Sequence, residues 1–392
     1  MSTHLHYFDY AATTPADPRV IASMVECLGI DGAFANPAST SHQAGMRARN
    51  LVEAGRAEVA GAIGARPDEI VWTSGATESN NLALKGFADS AARPGHIVTS
   101  RLEHKAILDT VASLENRGWA VSYVDPDRDG AITAEAVASA MRPETGIVSL
   151  MLVNNEIGTL TDIAAIAPIV HAAGALLHVD AAQALGKTPI DVKALGIDLM
   201  SISAHKVYGP KGIGALYVSS VAAQRIAPQM HGGGHERGLR SGTLATHQIV
   251  AMGTACAIAK AEMDADTQRI ARLSERLLAG VLSLHGVRHN ARNALRIPHT
   301  LSLTIDHPGF FPFMLASDLA VSSTSACNSA AGTPSHVLSA IGLDDQASSR
   351  TIRFSLGRFS TEEDVDWAIA SIRQVVEQCM PEVAGVSAFP PV

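Results

Sequence analysis

The 392-residue sequence predicts an α/β fold, with a large, mostly parallel sheet layered between helices and a smaller α+β domain following it. Two observations carry that expectation. Short apolar runs alternate with helical patterns from about residue 70 to 217, and a long helical stripe then leads into strands of period two. In order, Glu69-Ile70-Val71-Trp72 reads as a strand, Asn80 to Ala88 as a helix, His96-Ile97-Val98-Thr99 as a strand and Ala106 to Asn116 as a helix. Ile147 to Val153 follows. Ala175-Leu176-Leu177-His178-Val179 and Asp198-Leu199-Met200-Ser201-Ile202 are mostly apolar and bounded by glycine, the pattern of parallel strands covered on both faces. Gly214 to Val218 completes the series. Ile270, Leu273, Leu277, Val281 and Leu284 then fall on one face of a long helix. Beyond it, Leu301, Leu303 and Ile305 alternate with Ser302 and Thr304, and Ile352 and Phe354 flank Arg353. Two half-buried strands of an antiparallel sheet are expected there.

Composition narrows the function. At 47% hydrophobic the chain can bury a large core, and 30 basic against 38 acidic residues give a net charge of -8 without long like-charge runs. Direct nucleic-acid binding, which needs a basic patch, is disfavoured. The start, MSTHLHYFDY, has neither a basic nor an apolar leader pattern, and no apolar run approaches the ~20 residues of a membrane span, so a cytoplasmic protein is expected. Cys27, Cys256, Cys327 and Cys379 are scattered, with no C-x-x-C pair, so neither a metal site nor a disulfide framework is indicated. Cys27 and Cys256 sit in apolar helical runs and read as small buried hydrophobes; Cys379 fits either reading. Cys327 lies in Ser322-Ser323-Thr324-Ser325-Ala326-Cys327-Asn328-Ser329, without a large side chain to anchor it. That composition suits an inert linker or a thiol that must move.

The chemistry enters with Asp180 and Lys206, which fall just past the ends of two consecutive strands. Ligands of open α/β sheets bind in that crevice. Alone, each reads as a helix cap or a surface charge. Together they suit pyridoxal phosphate, whose pyridine nitrogen needs a carboxylate to keep it protonated and whose aldehyde needs an amine to form a Schiff base.

Further motifs run through the chain: DYAATTP from Asp9, NPASTSH from Asn36, TSGATESNN from Thr73, EHKA from Glu103 and NNEIG from Asn154. HVDAAQ from His178, SAHKVYGPKGIGALY from Ser203, HGGGHERGLRSGT from His231, SSTSAC from Ser322 and RFSLGRF from Arg353 follow. In these stretches the chain resembles cysteine desulfurases of the NifS/IscS type, in the class V aminotransferase branch of fold-type I pyridoxal phosphate enzymes. The resemblance implies a fold-type I transferase with a large cofactor domain over 16–261. It also implies a small domain built from 1–15 and 262–392, with the cysteine loop at about 320–333.

It further implies roles. Lys206 would carry the cofactor, Asp180 would hold its ring nitrogen, and His104 would stack on the ring as acid and base. Ala76, Thr77, Ser203 and His205, with Thr243 of the partner subunit in a homodimer, would take the phosphate. Asn155 and Gln183 would bond near the phenolic oxygen and the substrate, Arg353 would clamp the substrate carboxylate with Asn36 assisting, and Cys327 would be the nucleophile. The implied reaction converts L-cysteine to L-alanine, leaves a persulfide on Cys327 and passes sulfur to an acceptor or scaffold protein. The pathway served is iron-sulfur cluster assembly or thio-modification of tRNA, DNA or a metabolite. A selenocysteine lyase, another C-S lyase, or a scaffold of the same fold without activity are the alternatives. Arg358 is a weaker carboxylate candidate.

Two patterns fail as motifs. In His231-Gly232-Gly233-Gly234-His235 the glycines oppose the helix that would align both imidazoles, and no metal is expected. Gly186-Lys187-Thr188 resembles the end of a phosphate-binding loop, but Ala181 stands where its first glycine belongs. Thr324 replaces the glycine usual in SSGSAC, adding a β-branched side chain close to Cys327. The aromatic segment His307 to Met314 is also unusual, and core packing is the reading favoured for it.

Overall fold

A computed structural model describes residues 5–316, 319–323 and 335–379. Cys327 and most of the 320–333 loop lie outside the described residues. The strands are β1 (His6–Tyr7), β2 (Ile70–Thr73), β3 (His96–Ser100), β4 (Ala120–Val124), β5 (Thr145–Met151) and β6 (Leu176–Asp180). They continue with β7 (Leu199–Ser203), β8 (Gly214–Val218), β9 (Val287–His289), β10 (Thr300–Ile305), β11 (Leu319–Ala320) and β12 (Thr351–Ser355). Helices α1 (Pro18–Val25), α2 (Gln43–Ala62), α3 (Ala76–Ser90), α4 (Lys105–Glu115), α5 (Ala134–Ala140), α6 (Ile163–Ala172) and α7 (Thr246–Val281) connect them.

Seven strands form the large sheet in the order β2-β8-β7-β6-β5-β3-β4. Its pairings are parallel from β7 to β4, while β8 runs antiparallel to both β7 and β2. Side chains alternate across the pleat, so the two faces build separate cores. Ile97, Ile147, Leu176 and Leu199 meet Leu82, Leu84 and Ile107 of α3 and α4. On the opposite face Val98, Val148, Leu177 and Met200 meet Val52 of α2, Ile166 of α6 and Ile249 of α7. Apolar runs buried on both sides explain why these strands carry almost no polar alternation.

Helix α7 has 36 residues and serves two cores: Ile249, Met252 and Cys256 pack on the large sheet, while Ile270, Leu273 and Leu277 pack with β10 and β12. It closes at Val281, where the chain turns and Leu284 donates its N–H to Val281 O. Leu284 still packs on that second core. β10 pairs antiparallel with β12 and with β9. One expectation is corrected here: both strands are buried along their whole length rather than half-buried. Their polar face turns inward, where Ser302 pairs with Arg353 and Asn290 donates to Ser302 Oγ and Thr304 Oγ1.

β1 pairs in parallel with β11, and Phe8 lies edge-on to Phe354 at 5.8 Å between ring centroids. Phe354 is fully buried. Phe354→Ala is expected to destabilise the fold by about 3–5 kcal/mol through loss of buried area and the cavity left behind, read as a lower denaturation midpoint. In the aromatic segment Phe310 is buried as expected, whereas Phe311 and Phe313 are exposed and stacked on each other. No described helix is long and apolar enough to cross a membrane.

Candidate active site

A cavity of about 420 Å³ opens beyond the carboxyl ends of β6 and β7. Asp180, the last residue of β6, is 5% exposed on its wall. Both its oxygens are engaged: Oδ2 accepts from Asn80 Nδ2 at 2.8 Å and Oδ1 from the backbone N–H of Ala182 at 2.9 Å. These contacts fix the carboxylate's orientation. Lys206 ends the single 3-10 turn after β7 and reaches the same cavity. Its Nζ donates to Ala11 O and Ala12 O, each at 2.7 Å.

Helix α3 begins at this cavity without a side-chain cap. Gly75 precedes it at φ 151°, a conformation that favours glycine, and lies so close to β8 that a Cβ on Gly214 would meet Gly75 Cα at 2.6 Å. This close approach seats the first turn of α3, with Ala76 and Thr77, on the cavity wall. Its amide donors and the helix dipole make a site for a phosphate group. Ser203 and His205 line the same wall.

His104 caps α4 and faces the cavity; its Nδ1 accepts from Ala106 N–H at 3.0 Å. Its neutral ring therefore carries the proton on Nε2. Burial lowers the pKa of His104, with Asp180 opposing and Lys206 adding to the shift. His205 is lowered to about 4 by burial and by Lys206, Lys211 and Lys187. Both imidazoles are thus neutral at pH 7. Beside His104, burial drives the Glu103 carboxyl up to about 8, and the Asp180 charge adds to this.

Arg353, 2% exposed, enters from β12. Its guanidinium donates to Asn155 O at 2.8 Å and to Asp9 Oδ1 at 2.7 Å, while the buried Nε has no partner among the described residues. Asn155 and Gln183 also line the cavity. The Gln183 amide donates through Nε2 to Ala11 O at 2.7 Å and accepts at Oε1 from Lys187 Nζ at 2.7 Å.

Two expected residues do not reach this cavity within the chain. Asn36 is exposed and its Oδ1 accepts from Ala38 N–H at 2.9 Å, closing a local turn. Thr243 is exposed too, in the loop expected to serve a partner. Arg358 is held elsewhere, by Asp17 and Asp266 and above the Tyr208 ring. Cys27 and Cys256 are buried, with the Cys256 thiol pushed up to about 12 by desolvation. Among the described residues no cluster of metal ligands occurs.

Sequence reasoning missed Asn80 and the carbonyls of Ala11 and Ala12. Asn80 follows Thr77 by three residues, which places both on one face of α3, and that spacing was the available signal. The carbonyls belong to DYAATTP, but a backbone acceptor leaves no trace in residue type.

An ionic acceptor, a lysine and an uncapped helix end converging on one cavity fit pyridoxal phosphate at its ring nitrogen, aldehyde and phosphate. Fold and site together define a pyridoxal phosphate enzyme. The chain belongs to the class V aminotransferase family, whose profile matches residues 6–367. It is similar to the cysteine desulfurase IscS of Pseudomonas entomophila strain L48, with 54% identity over 374 residues, covering 95% of this chain and 93% of the relative. Among solved structures, a NifS-like protein superposes with TM-score 0.87 at 34% identity, covering 95% of this chain and 99% of the other. SspA in complex with cysteine superposes with TM-score 0.80 at 38% identity, covering 91% and 99%.

Proposed function

We infer that the protein is a cysteine desulfurase that takes sulfur from L-cysteine onto Cys327 and releases L-alanine. The observation that carries this reading is the convergence of Asp180, Lys206 and the α3 terminus on one cavity, in a chain so similar to cysteine desulfurases. Bound pyridoxal phosphate supplies an electron sink for charge developing on the substrate's α-carbon. Asp180 keeps a proton on the ring nitrogen. Lys206 Nζ carries the α-proton, and His104, neutral with Nε2 toward the reaction, assists its transfer. Arg353 offers the remaining N–H groups of its guanidinium fork to the substrate carboxylate. The Cys327 thiolate attacks the substrate sulfur: an S–S bond forms, the C–S bond breaks, and its electron pair ends, with a proton, in alanine.

The domain division at 16–261 against 1–15 with 262–392 is consistent with the two cores that α7 joins. A homodimer is supported by Ile21, Val25, Leu28, Ile30 and Phe34, exposed on and just after α1, and by Thr243 lying off the chain's own cavity. A cytoplasmic location agrees with three described cysteines that are all free. The acceptor of the persulfide is a protein serving iron-sulfur cluster assembly, with thio-modification as the second destination.

Incubation of the loaded enzyme with L-cysteine is expected to add one sulfur to the intact mass, mapped to Cys327, with alanine formed in parallel. Cys327→Ala should lose the added sulfur and lower alanine formation by about 10²-fold or more. Unchanged alanine formation in that variant would instead identify a lyase that expels its leaving group without a protein nucleophile.

A further inference from the structure

Lys187, the lysine of the failed phosphate-loop pattern, lies next to the site and has no role in the chemistry above. It follows Gln183 by four residues, is 8% exposed, and its Nζ donates to Gln183 Oε1 at 2.7 Å. Among the described residues no carboxylate pairs with it; burial, with Lys206 and Arg353 nearby, brings its pKa down to about 7. A buried amine facing two other cations is costly, and a methionine would fill the same volume without that cost.

Its effect is on Gln183. The two ends of a carboxamide are nearly alike in shape, so hydrogen-bond partners decide which end faces the cavity. Lys187 presents N–H donors and so draws Oε1 toward itself. Nε2 is left with one N–H on Ala11 O and a second available to the cavity that Gln183 lines.

We propose that Lys187 is a positioning residue that locks the Gln183 amide so that it presents a donor to the cofactor's phenolic oxygen. This deepens the reading above and rests on it. A donated hydrogen bond withdraws charge from that oxygen and lowers the proton affinity of the neighbouring nitrogen that Lys206 shares with the cofactor. Without Lys187 the amide can turn and set Oε1 against an anionic oxygen, raising that affinity. Among the described residues, the titratable groups coupled to Lys187 are Lys206 and His205 after β7, Arg353 on β12 and His299 before β10, and Asp264 and Arg296 line a second cavity with it. His205, Arg353 and His299 make no bond to the Gln183 amide among the described contacts.

The test uses the loaded enzyme and the pH midpoint of the visible band of its Lys206-bound cofactor. Lys187→Met should retain the melting temperature within a few degrees and raise the midpoint by about one unit. Gln183→Met should raise it similarly, and the double variant should shift it no further. An unchanged midpoint in Lys187→Met would overturn the proposal. So would a second full shift in the double variant, since Lys187 would then act by its charge rather than through Gln183. Should Lys187→Met fail to fold, Lys187→Gln, which keeps an N–H donor, must show a midpoint near that of the parent, and a displaced midpoint overturns the proposal. If the parent protein forms no visible band with pyridoxal phosphate, the cofactor reading itself falls, and the inference with it.

Discussion

Asp180→Asn is expected to leave the melting curve nearly unchanged while lowering alanine formation from L-cysteine by about 10²–10³-fold. The structural half of this expectation comes from the side chain's surroundings. Asp180 accepts from Asn80 and from Ala182 N–H, and Asn80 Oδ1 is buried with no partner among the described residues. An asparagine at 180 can keep one acceptor on Ala182 N–H and donate to Asn80 once that amide turns, so packing and hydrogen bonds persist. The chemical half follows from charge. A neutral amide cannot hold a proton on the pyridine nitrogen as an anion does, and the ring then absorbs fewer electrons when the α-proton leaves. Turnover close to that of the parent would remove Asp180 from the mechanism.

Lys206→Ala should be more severe, with alanine formation reduced by about 10³-fold or more, because one amine serves as both covalent anchor and proton carrier. Borohydride treatment of the parent protein should fix the cofactor to Lys206, as read by peptide mass, and the variant should show no such adduct. Cofactor should still bind, more weakly, through Asp180 and the α3 terminus. The cost to stability is small. Lys206 is only partly buried, and the Ala11 and Ala12 carbonyls it contacts line a cavity that water can enter. An adduct of equal yield in the variant would place the anchoring amine elsewhere.

The large sheet was legible in the sequence because buried parallel strands leave unbroken apolar runs, and Asp180 and Lys206 stand at the ends of two of them. Helix α3 was recognised but begins four residues before the expected Asn80. Its start depends on the backbone of Gly75 rather than on a capping side chain. The polar faces of β10 and β12 misled for a different reason. Alternation normally marks a wet face, yet here protein groups cover it: Asn290, 12 residues before Ser302, and Asp9, at the other end of the chain from Arg353. Arg353 stood out as an arginine between Ile352 and Phe354 on a strand, but its bond to Asp9, 344 positions away, has no local signature. Asn80 sat among polar helix residues, and only its spacing from Thr77 set it apart. Lys187 looked like part of a sequence motif, and burial, which no pattern reports, gives it another meaning.

The pairing of β1 with β11 and of Asp9 with Arg353 has a consequence for the order of synthesis. The ribosome releases the N-terminal segment first, yet its partners on β11 and β12 emerge only after most of the polypeptide has been made. The lip formed by Ala11 and Ala12 can meet Lys206 once residue 206 has emerged, but Arg353, which lines the same cavity and holds Asp9, arrives only when translation is nearly complete. A truncated nascent chain would carry the lysine but not the finished chamber, which delays sulfur chemistry until the whole protein is present.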